Sequence, residues 1–356
     1  MNYKLNKGIS SKLILLVCIL MTNVALAQNK SDIEIDSLQK VLQNNKLNDT
    51  SRVNNLISLA FLYRPKNLDK SIELAIEAEK LALKSKSNIH IAKALYLLAV
   101  VNYYKGNYSI SKEQNSKSSE LWKNLNNYKE YAKNISLSGS ISEYEGDYNK
   151  AIEKQFIALK IRDSLHLKED VAASYNKIGI LYKELGQDSV ALKYYEKSLK
   201  LRKELGQEEL QTGIYNNMSN LYAHIGNYNL ALKYIDEAIK ISTKYGNDNE
   251  KSMQLNNKGE IFISLNKIDE ALNLFKNALD LRKKINNKMG IVYSLQSIST
   301  AYLMQKKYTE AEKIIKEAIK ITKEVGSKKK LFNLYETLSE IYYSTKKTDS
   351  AYYYLK

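Results

Sequence analysis

Seven positions spaced forty residues apart, Ser111, Ala151, Ala191, Ala231, Ala271, Ala311 and Ala351, all carry a small side chain. Two further columns keep that register. Ala99, Gly139, Gly179, Ser219, Gly259, Ser299 and Ser339 are small, and Leu121, Ile161, Leu201, Ile241, Leu281 and Ile321 are aliphatic. Self-similarity at a period of about 20 to 50 residues marks stacked copies of one supersecondary unit, so the chain is restricted to a repeat array. Such arrays grip partners far more often than they carry out chemistry.

Each unit reads as two helices. In the first, Tyr175, Ile178, Gly179, Tyr182 and Leu185 follow helical spacing and form one apolar stripe. Gly106, Gly146, Gly186 and Gly226 close this helix in four units, with Asn266, Lys306 and Lys346 in the same place later. Two residues before each repeated small residue stands a side chain suited to capping the second helix: Asp69, Ser109, Asn149, Ser189, Asn229, Asp269, Thr309 and Asp349. The second helix then runs through residues such as Leu192, Tyr195, Leu199 and Leu201 to another stop at Gly206, Gly246, Asn286 and Gly326. No segment carries a strand pattern.

The stretch from Tyr215 to Ile241, with small residues at Ser219, Ala231 and Ala238 and aromatics at Tyr222 and Tyr228, resembles a tetratricopeptide repeat. The resemblance covers about 52 to 356 as eight units. It implies an all-α fold: an α-solenoid of about eight stacked helix-turn-helix units, at a forty-residue period, forming a right-handed superhelix. The usual period of that family is about 34 residues, so longer helices are expected here. The proline that often ends the family's second helix is missing, the only proline being Pro65.

Three segments precede or complete the array. Lys4, Lys7 and Lys12 stand before the apolar run Leu13 to Leu20, and Ala25, Leu26 and Ala27 supply a small-x-small site, so residues 1–27 read as a signal peptide cleaved after Ala27. An uncleaved anchor is the rival reading, although Thr22 and Asn23 interrupt a run already short of the ~20 residues needed to span a bilayer. Cys18, the only cysteine, follows Val17 where lipid attachment favours a small residue; after cleavage no disulfide or thiolate site remains. Residues 28–50 are expected to hold an amphipathic helix, with Ile35, Leu38, Val41 and Leu42 covering the first repeat, and a linker. The array is assigned to 51–356, its last repeat truncated at Lys356.

No catalytic, cofactor-binding or metal-ligating set emerges. His90, His166 and His224 fall in three different units, and the glycines form neither a phosphate loop nor a dinucleotide fingerprint. The net charge is +16, and subtracting Lys4, Lys7 and Lys12 leaves +13. The excess is lysine scattered over every unit, whereas base and phosphate recognition favours arginine forks, so nucleic acid is not the expected partner.

One column points to binding. In the first helices, Asn176, Asn216, Asn256 and Gln296 place side-chain amides in four consecutive units, with Asn217, Asn220 and Asn257 beside them. These positions lie about 100° around the helix from the core stripe, and an amide offers both a donor and an acceptor to an extended peptide backbone. Peptide-binding tetratricopeptide arrays use similar asparagines, and the resemblance implies that role here. The competing reading is an asparagine-rich chain with polar exposed faces. Tyr103, Tyr104 and Tyr144 either add aromatic contacts to the same face or pack between helices.

The expected function is an exported, non-enzymatic module that holds a protein or extended peptide in a concave groove. The whole is similar to the periplasmic sensor regions of bacterial membrane histidine kinases and LuxR-type regulators, which implies a membrane tether and an output domain beyond Lys356. A free periplasmic or secreted scaffold is the alternative.

Overall fold

The structure, a computed structural model, describes residues 32–43, 47–64 and 66–355. The signal-peptide assignment at 1–27, Cys18 and Pro65 lie outside the described residues. Everything described is helical or turn, and seventeen helices pack pairwise.

Two compact units are present, 1–187 and 188–356. The first holds α1 (32–42), α2 (Asp49–Tyr63), α3 (Leu68–Lys84), α4 (Asn88–Lys105), α5 (Tyr108–Asn124), α6 (Tyr128–Tyr144), α7 (Tyr148–Ser164) and α8 (Lys168–Glu184). The second holds α9 (Asp188–Glu204), a 3₁₀ turn (Glu209–Gln211), α10 (Thr212–His224), α11 (Tyr228–Lys244), α12 (Asp248–Ser264), α13 (Ile268–Lys284), α14 (Lys288–Met304), α15 (Tyr308–Val325), α16 (Lys328–Ser344) and α17 (Thr348–Leu355). Even-numbered helices from α2 onward are the first helix of a repeat.

The two small-residue columns meet where the two helices of a repeat cross. The hydroxyl of Ser219 donates to the carbonyl of Ala231 at 2.8 Å, and Ser299 to Ala311 and Ser339 to Ala351 do the same at 2.8 Å. Ser111 reverses the direction, donating to the carbonyl of Ala99 at 2.7 Å. A hydroxyl can reach a backbone carbonyl already used in its own helix only when nothing larger than an alanine methyl separates the axes. Ala151, Ala191, Ala231, Ala271 and Ala311 are accordingly fully buried. A leucine at any of them overpacks the crossing, at a cost of about 1–3 kcal/mol.

Glycine replaces serine where the facing side chain is large. A Cβ on Gly259 would lie 2.3 Å from Cε1 of Phe275, a fully buried ring. In the first unit the equivalent Gly139 faces Gln155, whose Nε2 would lie 2.8 Å from such a Cβ. Gln155 is itself fully buried, exchanging bonds of 2.9 Å with the hydroxyl and carbonyl of Ser136. This buried column therefore reads Asn115 and Gln155 in the first unit, but Tyr195, Ile235, Phe275 and Ile315 in the second.

The helix stops fall as expected, with φ of +87° at Gly106 and +79° at Gly226, a region glycine enters without a Cβ clash. Asn266, Asn286, Lys306 and Lys346 take the same conformation at φ between 53° and 60°. The caps of the second helices differ from expectation. Asn67, Asp147 and Asn227 accept from the backbone N–H three residues on, at 3.0, 3.0 and 3.2 Å, so Asp69, Asn149 and Asn229 stand inside the first turn instead. The left-handed residue reverses the chain so tightly that the next residue already begins the new helix.

Helix α1 packs on the first repeat through Ile35, 6% exposed, with Leu38 and Leu42 against the same cluster, while Val41 remains exposed. Its end is fixed by Arg52, which donates to the carbonyl of Leu42 at 3.0 Å.

Candidate functional site

Successive first helices touch one another: α2 with α4, α4 with α6, α10 with α12, α12 with α14 and α14 with α16. Among the described residues, successive second helices make no comparable approach. Within each unit the first helices therefore share the closer, inner side, where a partner would meet residues from several repeats at once.

In the second unit this side is cross-linked. Asn257 donates to Oδ1 of Asn216 at 2.8 Å, Asn256 to the hydroxyl of Ser297 at 3.2 Å, and Gln296 to the hydroxyl of Thr337 at 3.2 Å. Each bond joins a residue to one forty or more positions away in the neighbouring first helix, and Ser297 continues the network to Glu260 at 2.7 Å. Asn216 is only 6% exposed, Asn256, Asn257 and Gln296 are half-buried, and Asn220 is exposed. Asn217 is half-buried and engaged. Asn176, in the first unit, is also half-buried with partners of its own. The structure thus brings Asn216 together with Asn257, and it ties Asn256 and Gln296 to the following repeat.

Two buried cations complete that wall. Arg282, at the end of α13, reaches between α12 and α14 and donates through Nη1 to the Ser294 hydroxyl at 2.7 Å, the Gly290 carbonyl at 3.0 Å and Oδ1 of Asn256 at 3.3 Å. Burial lowers its pKa to about 10. Lys330 of α16 is 7% exposed; its Nζ lies 3.7 Å from the ring centre of Tyr293 and donates to Oε1 of Gln296. Burial brings this ammonium down to about 8.

The first unit presents a cleft instead, of about 880 Å³, against α2, α4 and α6. Phe61, Tyr96, Tyr103 and Tyr104 line it, with Trp122 from the end of α5. Tyr103 and Tyr104 meet edge to face at 5.7 Å, whereas Tyr144 stacks on Tyr108 at 3.4 Å and does not line the cleft. Burial, then the Glu130 charge, push the Tyr96 hydroxyl up to about 12, so it stays protonated at neutral pH. Arg64, Lys93, Lys133 and Arg162 also line the cleft, against Glu34 and Glu130. Lys133 pairs with Glu130 at 2.8 Å, and Arg162, 8% exposed, donates to the Ser174 hydroxyl at 2.6 Å.

The sequence reading overlooked Trp122, Arg162 and Arg282. They occupy one column forty residues apart, and Arg202 belongs to it as well, so a register search for large side chains at the ends of the second helices would have found them. The histidines stay scattered: His90 contacts the Ser87 hydroxyl at 2.7 Å, His224 lies 3.3 Å from Asp188, and His166 occupies a left-handed turn position. Among the described residues no three metal-capable side chains cluster, and no helix is long and apolar enough to cross a membrane.

Profiles described as tetratricopeptide repeat match residues 132–204, 211–284 and 292–325. No curated protein matches the sequence. Among solved structures, the apo quorum sensor NprR from B. thuringiensis is similar at a TM-score of 0.61 and 16% identity, covering 98% of this chain and 97% of its own. The apo form of RapI gives 0.61 at 17% identity, covering 77% and 98%. The Rap conjugation gene regulator of plasmid pLS20, solved with the Phr* peptide, gives 0.59 at 14% identity, covering 92% and 93%. At these identities the likeness is one of fold. With repeat profiles matched over about half of its length and helix pairs stacked at a constant period, the chain is a tetratricopeptide repeat protein.

Proposed function

We propose that the protein is a non-enzymatic binding module that holds a peptide or protein segment on the first-helix side of its first unit. The observation that carries this reading is the cleft of about 880 Å³ along α2, α4 and α6, into which α2 and α4 present aromatic rings beside the cations Arg64, Lys93 and Lys133. A volume of that size suits a drug-sized ligand or a few peptide side chains. The amide column of the second unit, by contrast, spends its hydrogen bonds on neighbouring repeats, which leaves Asn220 as its exposed member. A fold likeness to a regulator solved with a bound peptide is in keeping with this use of the array.

The reading extends to place and context. Lysines, an apolar run and the Ala25-Leu26-Ala27 site support export, and a sensory role in a signalling protein, with its output carried elsewhere, fits the sequence resemblance. Selection of binders from a random peptide library on the full chain tests the core of the proposal. Binders lost in Phe61→Asp, with helical content unchanged, are expected; binders indifferent to Phe61→Asp and Tyr104→Ala would overturn it.

A further inference from the structure

We infer that a second cleft of the first unit, between the second helices α5 and α7, is a site for a small polyhydroxylated anion: a monosaccharide carrying one carboxylate or phosphate. The inference is independent of the peptide reading above.

The repeat register shows what is unusual there. Forty residues after Lys112, Ser119, Ser138 and Ser142 stand Ile152, Leu159, Ile178 and Tyr182, and forty further on stand Leu192, Leu199, Met218 and Tyr222. In later repeats these positions pack neighbouring helices together: Ile152 and Tyr182 share one apolar cluster, as do Leu272, Leu279, Ile298 and Tyr302. Between α5 and α6 the same four positions carry an ammonium and three hydroxyls, and a cleft of about 400 Å³ opens, bordered by α7. The burial that four apolar side chains would bring is forgone. Departures from a rule that the following repeats obey gather at functional sites.

The polar groups of the cleft are short of partners. Ser142 lines it while only 4% exposed, and its hydroxyl has no partner among the described residues. Ser138 accepts from Nδ2 of Asn115 at 2.8 Å, which leaves its own proton to donate. Oδ1 of that asparagine, a residue 2% exposed, is also without a hydrogen bond. Buried polar groups normally find partners. The cations are unevenly committed too. Lys112 is held by Glu145 at 2.8 Å and Lys154 by Glu153 at 3.0 Å, whereas among the described residues Lys123 and Lys150 form no ion pair. Among the described residues, the one carboxylate lining the cleft is Glu120.

These features select the ligand. Serine hydroxyls both donate and accept, which matches a molecule that does the same several times over a short span, as a sugar ring does. Two uncommitted ammoniums beside one carboxylate favour a negative group on that ring. Tyr131 adds an aromatic surface for its C–H face. The volume falls within the ~300–1,000 Å³ of small-ligand sites.

Titration calorimetry on the full chain with glucuronate, glucose 6-phosphate, glucose and inorganic phosphate tests the site. At least one acidic sugar should bind at least about tenfold more tightly than either glucose or phosphate, and which of the two does so tells a carboxylate ligand from a phosphate one. Lys123→Gln with Lys150→Gln, two exposed positions, should bring that sugar down to the level of glucose. The triple variant Lys112→Ile, Ser119→Leu and Ser142→Tyr gives this repeat the residues of the next one and should abolish binding with helical content kept. Acidic sugars that fail to bind, bind no better than glucose, or are matched by phosphate overturn the proposal. So does binding that survives either variant unchanged.

Discussion

Four positions can be compared between two places in the molecule exactly four repeats apart. Tyr96, Trp122, Glu130 and Lys133 in the first unit stand where Asn256, Arg282, Gly290 and Tyr293 stand in the second. In both, a side chain from the end of a second helix enters the slot between two first helices. Arg282 fills it with a branched donor that finds acceptors on both walls, and the slot closes. Trp122 fills it with a flat ring whose one donor finds nothing, and Tyr96 beside it leaves a cleft. The scaffold is one; the chemistry of a few inserted side chains decides whether the inner face is a wall or a receptor.

The largest effect expected from breaking this contrast lies in the core column beneath it. Phe275→Ala removes a fully buried ring that no neighbour can replace, at a cost of about 3–5 kcal/mol in denaturant unfolding. Gln155→Leu, the counterpart in the first unit, keeps the volume but strands the Ser136 groups, and should cost about 1–3 kcal/mol. Equal losses at the two sites would mean that the columns are not packed differently.

Next comes a pH effect confined to the second unit. Lys330 sits at about 8 in the folded protein, below the ~10.4 of an unfolded chain. Unfolding therefore takes up a proton between those values, so stability rises as pH climbs from about 8 to 10.4 and is indifferent to this group below 8. Relative to Lys330→Met, the wild type should gain on the order of 1–3 kcal/mol across that window. Parallel curves for the two proteins would show the ammonium to be solvated.

The double substitution Asn216→Ala and Asn256→Ala breaks two bonds between repeats and should cost about 1–3 kcal/mol without weakening peptide capture. Capture lost with stability intact would return the amide column to a ligand role. Smallest of all, Tyr104→Ala, 61% exposed, should alter stability by less than about 0.5 kcal/mol yet reduce capture.

The period alone was enough to place the helix pairs, because the small residues at each crossing and the left-handed stops are local necessities written into every repeat. Asp69, Asn149 and Asn229 were misplaced as caps since Asx residues occur both at the cap and two positions later, and only the tightness of the turn decides between them. The destination of the amides was less legible. Their angle on the helix put Asn216 and Asn256 on the inner side, but whether an inner side chain meets a ligand or the next repeat depends on spacing between helices that no single repeat encodes. Trp122 and Arg282 escaped notice because they belong to the second helix and act beyond the first.

Bonds such as Asn257 to Asn216 and Asn256 to Ser297 exist only while both of the repeats they join are folded. In an array whose members contact only their neighbours, such rungs raise the coupling between units over their individual stability. Release of α16 must therefore unlatch Gln296 from Thr337 before α14 is freed, and the loss of α14 then frees Asn256 in turn. The second unit is thereby made into a zipper whose rungs part in order.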